Sequence, residues 1–180
     1  MGIDPAIVQN IAERVRAEVL PARTAPAIKL DPAIIQKIAQ KVPIFAGMSQ
    51  PCLLATLATG EHFTIQPGEA VFREGDMGNP FYVLIAGEVV VEKLREGKPV
   101  ELVRLGPGEC FGEMALVGND VRSATVRATA AVVAMRFYRE LIDGHPESAS
   151  AIYRNIARIL AARLGESSMV LAELKKREGA

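Results

Sequence analysis

The chain of 180 residues holds no tryptophan, two histidines and two cysteines. Cys52 and Cys110 are too few for a disulfide framework, which in a small secreted domain takes at least about four. His62, expected in a turn, and His145, at a helix junction, have no ligand spacing between them or to a cysteine. A metal-binding, cupin-like enzyme would therefore lack its ligand set. Net charge is missing too. The 21 Lys and Arg balance 21 Asp and Glu, so no broad positive field exists to attract nucleic acid or an anionic bilayer. No apolar run approaches the ~20 residues of a membrane-spanning helix. No signal peptide opens the sequence, and Ala6 stands where a myristoylation signal after Gly2 requires Ser or Thr. A cytoplasmic, reduced protein is the expectation. Catalytic signatures are equally sparse: no Ser/His/Asp pattern is present, and no histidine is placed to activate Cys110, which reads as a small core residue beside Phe111. Neither an enzyme nor a bound metal or cofactor is expected.

What is present looks like an ordinary soluble domain, 49% hydrophobic and 23% charged. The length suits one domain with flanking helices. "DPAIVQNIAERV" (4–15) returns as "DPAIIQKIAQKV" (31–42), joined through the Pro-rich "LPARTAP" (20–26). In each copy Asp can cap a helix and Pro takes its first position, where the missing N–H costs nothing. Ile7, Ile11 and Val15 are matched by Ile34, Ile38 and Val42, one apolar face per copy. Residues 1–45 are thus read as an amphipathic helical pair that packs on the main domain, binds a partner or dimerises.

Residues 46–137 have a different character. Glycine turns at 67–69, 74–79, 86–88, 95–98 and 106–109 separate "FYVLI" (81–85), "EVVVEKL" (88–94), "VELVRL" (100–105), "SATVRA" (123–128) and "AVVAMRF" (131–137). Short β-branched and aromatic runs at near-regular spacing indicate an all-β sandwich or barrel. "VEKL" and "VELVRL" alternate apolar with charged residues, as half-buried strands do.

"YRELIDG" (138–144) then reads as a short helix stopped by Gly144, and Pro146 opens a longer one to about Leu174. Ile152, Ile156 and Ile159 form one stripe along it. Tyr153, Ala157, Leu160, Leu164, Ser167, Leu171 and Leu174 form another, in steps of four and three. The second spacing is a coiled-coil seam. Two stripes suit a helix that covers its own domain and a second copy of itself. Gly165 within it costs about 1 kcal/mol relative to Ala and marks a bend, a break or a close approach. Residues 138–175 are read as hinge, lid and dimerisation helices, and 176–180 as a tail.

The chemistry lies in "FGEMALVGNDVRSATVRA" (111–128). Gly112 before "EMAL" suggests a tight turn opening a single helical turn, whose free N–H groups face an anion. Arg122 can add a bidentate contact to the same anion. Glu113 repels a phosphate but accepts well from a hydroxyl beside one. Spacing alone leaves two readings open: a surface salt bridge, or a singly charged ligand with an adjacent hydroxyl. A nucleoside cyclic phosphate carries that pair of groups.

The segment resembles the phosphate-binding cassette of the cyclic nucleotide-binding domains found in catabolite-activator-type regulators, kinase regulatory subunits and gated cation channels. "FGEMAL" and "RSATVRA" carry the resemblance, with "VPIFAGMS" (42–49), "PGEAVFREGD" (67–76) and "FYVLIAGEVVV" (81–91) upstream in the same order. It extends over residues 42–174. It implies a mainly β fold with flanking α-helices: a jelly-roll-type β-barrel with the N-terminal helical pair and the long C-terminal helix, and a cassette at 111–124. It also implies that Arg122 pairs with the exocyclic phosphate oxygens and that Glu113 accepts from the ribose 2′-OH. Backbone N–H groups near Gly112, Ala115 and Ser123 complete the cradle, with Phe111, Met114 and Ala124 in the same set. Ser167 and Ser168 fall where the activator type reaches the base, or else are small residues in a close helix interface.

The implied ligand is cAMP, with cGMP possible because a Ser123 hydroxyl could contact the 2-amino group of a syn guanine. The activator type continues into a helix-turn-helix that this sequence does not show, so DNA binding is not expected. The function expected is a cytoplasmic cyclic nucleotide sensor that signals through its C-terminal helix to a homodimer or effector partner. The alternative is an interaction module whose cassette is silent.

Overall fold

The computed structural model describes residues 32–178 apart from Asn119. The first copy of the N-terminal repeat lies outside the described residues. The second forms helix α1 (Pro32–Lys41), followed by a 3₁₀ turn at Pro43–Phe45. Helix α2 (Gln50–Ala58) starts where the Ser49 side chain accepts from Cys52 N–H at 3.3 Å, satisfying one of the free donors of its first turn.

Eight strands follow: β1 (Glu61–Ile65), β2 (Ala70–Phe72), β3 (Phe81–Ala86), β4 (Val89–Arg95), β5 (Lys98–Leu105), β6 (Cys110–Phe111), β7 (Thr125–Ala128) and β8 (Val132–Phe137). Helix α3 (Met114–Val117) lies between β6 and β7, and α4 (Arg139–Asp143) and α5 (Pro146–Glu178) close the fold. The strands make two four-stranded sheets, ordered β1-β8-β3-β6 and β2-β7-β4-β5. The jelly-roll-type arrangement therefore takes the form of two separate sheets, not a closed barrel.

Strand β3 shows why the first sheet sits in the middle. Its run "FYVLI" is buried at every position. Tyr82 and Leu84 join Val89, Leu105, Phe111 and Val126 between the sheets. Phe81, Val83 and Ile85 join Phe45, Leu53, Ile142, Ile152 and Ile156 under the helices. Because successive side chains point to opposite faces, a continuous apolar run marks a strand covered on both. Phe137 stacks on Phe81 at 5.0 Å between ring centroids and meets Phe45 edge-on at 5.8 Å. Truncating such a ring to Ala costs about 3–5 kcal/mol.

Three local expectations are corrected. His62 lies within β1, paired with Met135, and not in a turn. The "VELVRL" alternation does not produce half-burial: Val100, Leu102 and Val103 are all exposed, because β5 is an edge strand paired only with β4. Helix α5 runs unbroken through Gly165, and a Cβ there would meet nothing within 4 Å among the described residues.

The two stripes of α5 part company. Ile152 and Ile156 are fully buried and Ile159 partly so. Leu164, Leu171 and Leu174 stay exposed. Asn155, itself buried, donates through Nδ2 to the Ile44 carbonyl at 3.0 Å and the Ala46 carbonyl at 2.8 Å. This pins α5 to the 3₁₀ turn, while its distal half extends beyond the core.

Candidate functional site

Gly112 follows β6 with φ +78°, and a Cβ on it would stand 2.8 Å from Arg122 Nη1. Glycine is required there twice over, for the backbone angle and for the approach of the guanidinium. Arg122 Nη1 donates to the Gly112 carbonyl at 3.0 Å, and Nη2 to the Pro80 carbonyl at 2.7 Å. The guanidinium carbon lies 4.1 Å from the centroid of the Phe72 ring. Arg122 is only 4% exposed. Among the described residues no carboxylate is within ion-pair distance of it: Asp76, Glu113 and Asp120 act on it only as more distant charges. Burial pushes its pKa below the ordinary value, yet an arginine remains protonated near neutral pH.

Glu113 is 2% exposed and does have a partner. Arg163 of α5 donates from Nη1 to Glu113 Oε1 at 2.5 Å and from Nη2 to the Cys110 carbonyl at 2.8 Å. Burial pushes the Glu113 carboxyl above its ordinary value, and Arg163 is the strongest influence opposing that rise. The neighbouring Cys110 thiol is pushed up to about 12, first by burial and then by the Glu113 charge. A protonated thiol of this kind is inert as a nucleophile.

Phe111, Gly112, Glu113, Met114, Ala115, Arg122, Ser123 and Ala124 line one cavity of about 70 Å³ that opens to solvent. Phe72, Val91, Leu105 and Val126 supply its apolar walls, and Arg163 reaches into it from the helix. Ser123 donates from Oγ to Met114 Sδ at 3.3 Å, and Ala115 N–H donates to the Gly112 carbonyl at 3.3 Å. Ser167 and Ser168 are exposed on α5 and do not line the cavity. Outside the cavity, Arg139 at the start of α4 donates to the Ala115 carbonyl and lies 2.5 Å from Asp120 Oδ1. The cassette is thereby tied to the C-terminal helices at two points.

Arg163 and Phe72 are the residues that the motif reading passed over. Arg163 carried a usable signal. Ile152, Ile156, Ile159 and Arg163 follow one another in steps of four, three and four, so a charge occupies the next position of the buried stripe. An arginine there needs a buried acceptor, and Glu113 is the one it finds.

The model of the cyclic nucleotide-binding domain family matches residues 62–144. The cyclic AMP receptor protein of Thermus thermophilus is 29% identical over 130 residues, covering 72% of this chain and 60% of that protein. Glutaminase 2 of Bradyrhizobium diazoefficiens is 42% identical over 118 residues, covering 62% of this chain but 18% of the enzyme. Among solved structures, the Thermus thermophilus catabolite activator protein superposes with a TM-score of 0.67 at 29% identity, over 74% of this chain and 63% of that one. The chain thus spans 60% or less of these curated relatives, and the shared region is a binding module within longer proteins. Residues 62–144, which hold the cassette and nearly all of both sheets, thus match the cyclic nucleotide-binding domain family.

Proposed function

We propose that this chain is a cytoplasmic sensor of cyclic nucleotides, that cAMP is its preferred ligand over cGMP, and that binding is its whole activity. The observation that carries the reading is Arg122. It is 4% exposed, held by two neutral carbonyls and an aromatic ring, and has no carboxylate in ion-pair range among the described residues. A buried cation without an anion is costly. A singly charged phosphodiester entering the cavity would remove that cost. Glu113 then offers a carboxylate to the hydroxyl beside it.

Signalling follows from the Glu113–Arg163 pair. A group that competes for Glu113 acts directly on α5, and a ligand that binds one position of α5 more tightly shifts the population toward it. Ser167 and Ser168 contact the base in the liganded arrangement, once α5 has moved. The exposed seam Leu164, Leu171 and Leu174 repeats with coiled-coil spacing, which favours a second copy of α5 as the partner. The test is Arg122→Ala. It should weaken cAMP binding by about 2–5 kcal/mol, ~30-fold or more, the usual effect of truncating one side of a buried charge pair. Unchanged affinity in a folded variant rejects the phosphate role.

A further inference from the structure

We infer that Phe72 is the positioning residue for the anion-binding guanidinium: its ring holds Arg122 at the cavity wall without neutralising it. The inference rests on the ligand reading above and extends it to a residue outside the cassette.

The backbone builds this contact deliberately. The β2–β7 register shifts between Ala70, paired with Arg127, and Phe72, paired with Val126. An unbroken ladder would pair Phe72 with Thr125. Bulges of this kind re-aim a side chain next to a binding site. Directly paired residues share a sheet face, so the shift puts Phe72 on the face of Val126, which lines the cavity. There the ring is backed by other aromatics. It lies 6.0 Å from Phe111 and 6.1 Å from Tyr82, and those two stack on each other at 5.0 Å with an 8° interplanar angle. Phe111 and Tyr82 are both buried, so the platform is braced.

The electrostatic logic favours an aromatic at this place. A guanidinium over a ring face is held by the ring quadrupole, more strongly when desolvated. A carboxylate would hold it more tightly still, but the incoming phosphate would then have to displace that carboxylate. With its guanidinium carbon over the Phe72 ring and its N–H groups on the Gly112 and Pro80 carbonyls, Arg122 is oriented and keeps its full charge for the ligand.

The experiment combines arginine side-chain NMR with calorimetry. In the unmodified protein without nucleotide, the Arg122 side-chain protons, assigned by their loss in Arg122→Lys, should be shifted upfield by the ring. Random-coil positions would overturn the inference, and that measurement needs no Phe72 variant and no ligand. In Phe72→Leu the shift should vanish and cAMP affinity should fall about threefold to thirtyfold, the range a desolvated cation–π contact allows. Phe72→Tyr, which keeps the ring, should retain both the shift and the affinity within about twofold. Equal affinity in Phe72→Leu, or an equal loss in Phe72→Tyr, would assign the ring to packing alone. If the unmodified protein bound no cyclic nucleotide, the ligand reading would fail while the Arg122 resonances still decided the positioning role.

Discussion

Arg163 Nη1 lies 2.5 Å from Glu113 Oε1 and joins the long C-terminal helix to the floor of the cavity across 50 positions of sequence. The pair is asymmetric. The Glu113 side chain is 2% exposed, whereas that of Arg163 is 33% exposed. The carboxylate therefore depends on the arginine far more than the arginine depends on it.

Arg163→Ala should accordingly loosen α5 before it unfolds the domain. The arginine is partly solvated, but its loss strands the buried Glu113 carboxylate, so domain stability falls unless that carboxyl takes up a proton. The local effect should be larger, since contacts to Glu113 and the Cys110 carbonyl both disappear. Hydrogen exchange should report faster exchange of α5 amides around residues 160–170 and a smaller loss of protection in β3. Unaltered α5 exchange would show that the pair does not hold the helix.

Glu113→Gln addresses the same carboxylate by pH. Burial raises its pKa above 4.5 in the folded protein, so the native state holds this proton where the unfolded chain has released it. The stabilising contribution is full below the unfolded value and is lost as pH rises through the folded one. The variant should remove that dependence. Its melting temperature should fall less than the parent's between acid and neutral pH, measured by thermal melts across that range. The same variant should narrow the preference for ribose over 2′-deoxyribose ligands. A parent protein that already binds both sugars equally would contradict the hydroxyl role.

The exposed seam of α5 makes a separate claim. Leu164 is 68% exposed and Leu171 55% exposed, a large apolar surface for a free helix to present. Leu164→Asp and Leu171→Asp should each convert a dimer to a monomer in sedimentation, with the fold unchanged by circular dichroism. A parent protein that sediments as a monomer from the start would reject the pairing of helices.

Much of this was legible in the sequence. The "FYVLI" run reads as a strand, and Glu113 with Arg122 stands out as a pair of charges in an apolar stretch. What escaped has physical reasons. The role of Arg163 depends on a contact 50 positions away, which no local window contains, although its place in the isoleucine stripe marked it. The role of Phe72 depends on a register shift between β2 and β7, and bulges leave little trace in composition. The alternation of β5 reads as half-burial, but the strand falls at a sheet edge. Edge position belongs to topology and not to the strand's own residues.

The most direct test is calorimetric titration of the purified protein with cAMP, then cGMP, with 5′-AMP as control. The account predicts cAMP binding at micromolar affinity or tighter, weaker cGMP, and much weaker 5′-AMP, whose phosphate lacks the cyclic diester. No heat and no competition from any of the three would contradict it, and the cavity around Arg122 would then have to serve another ligand or none.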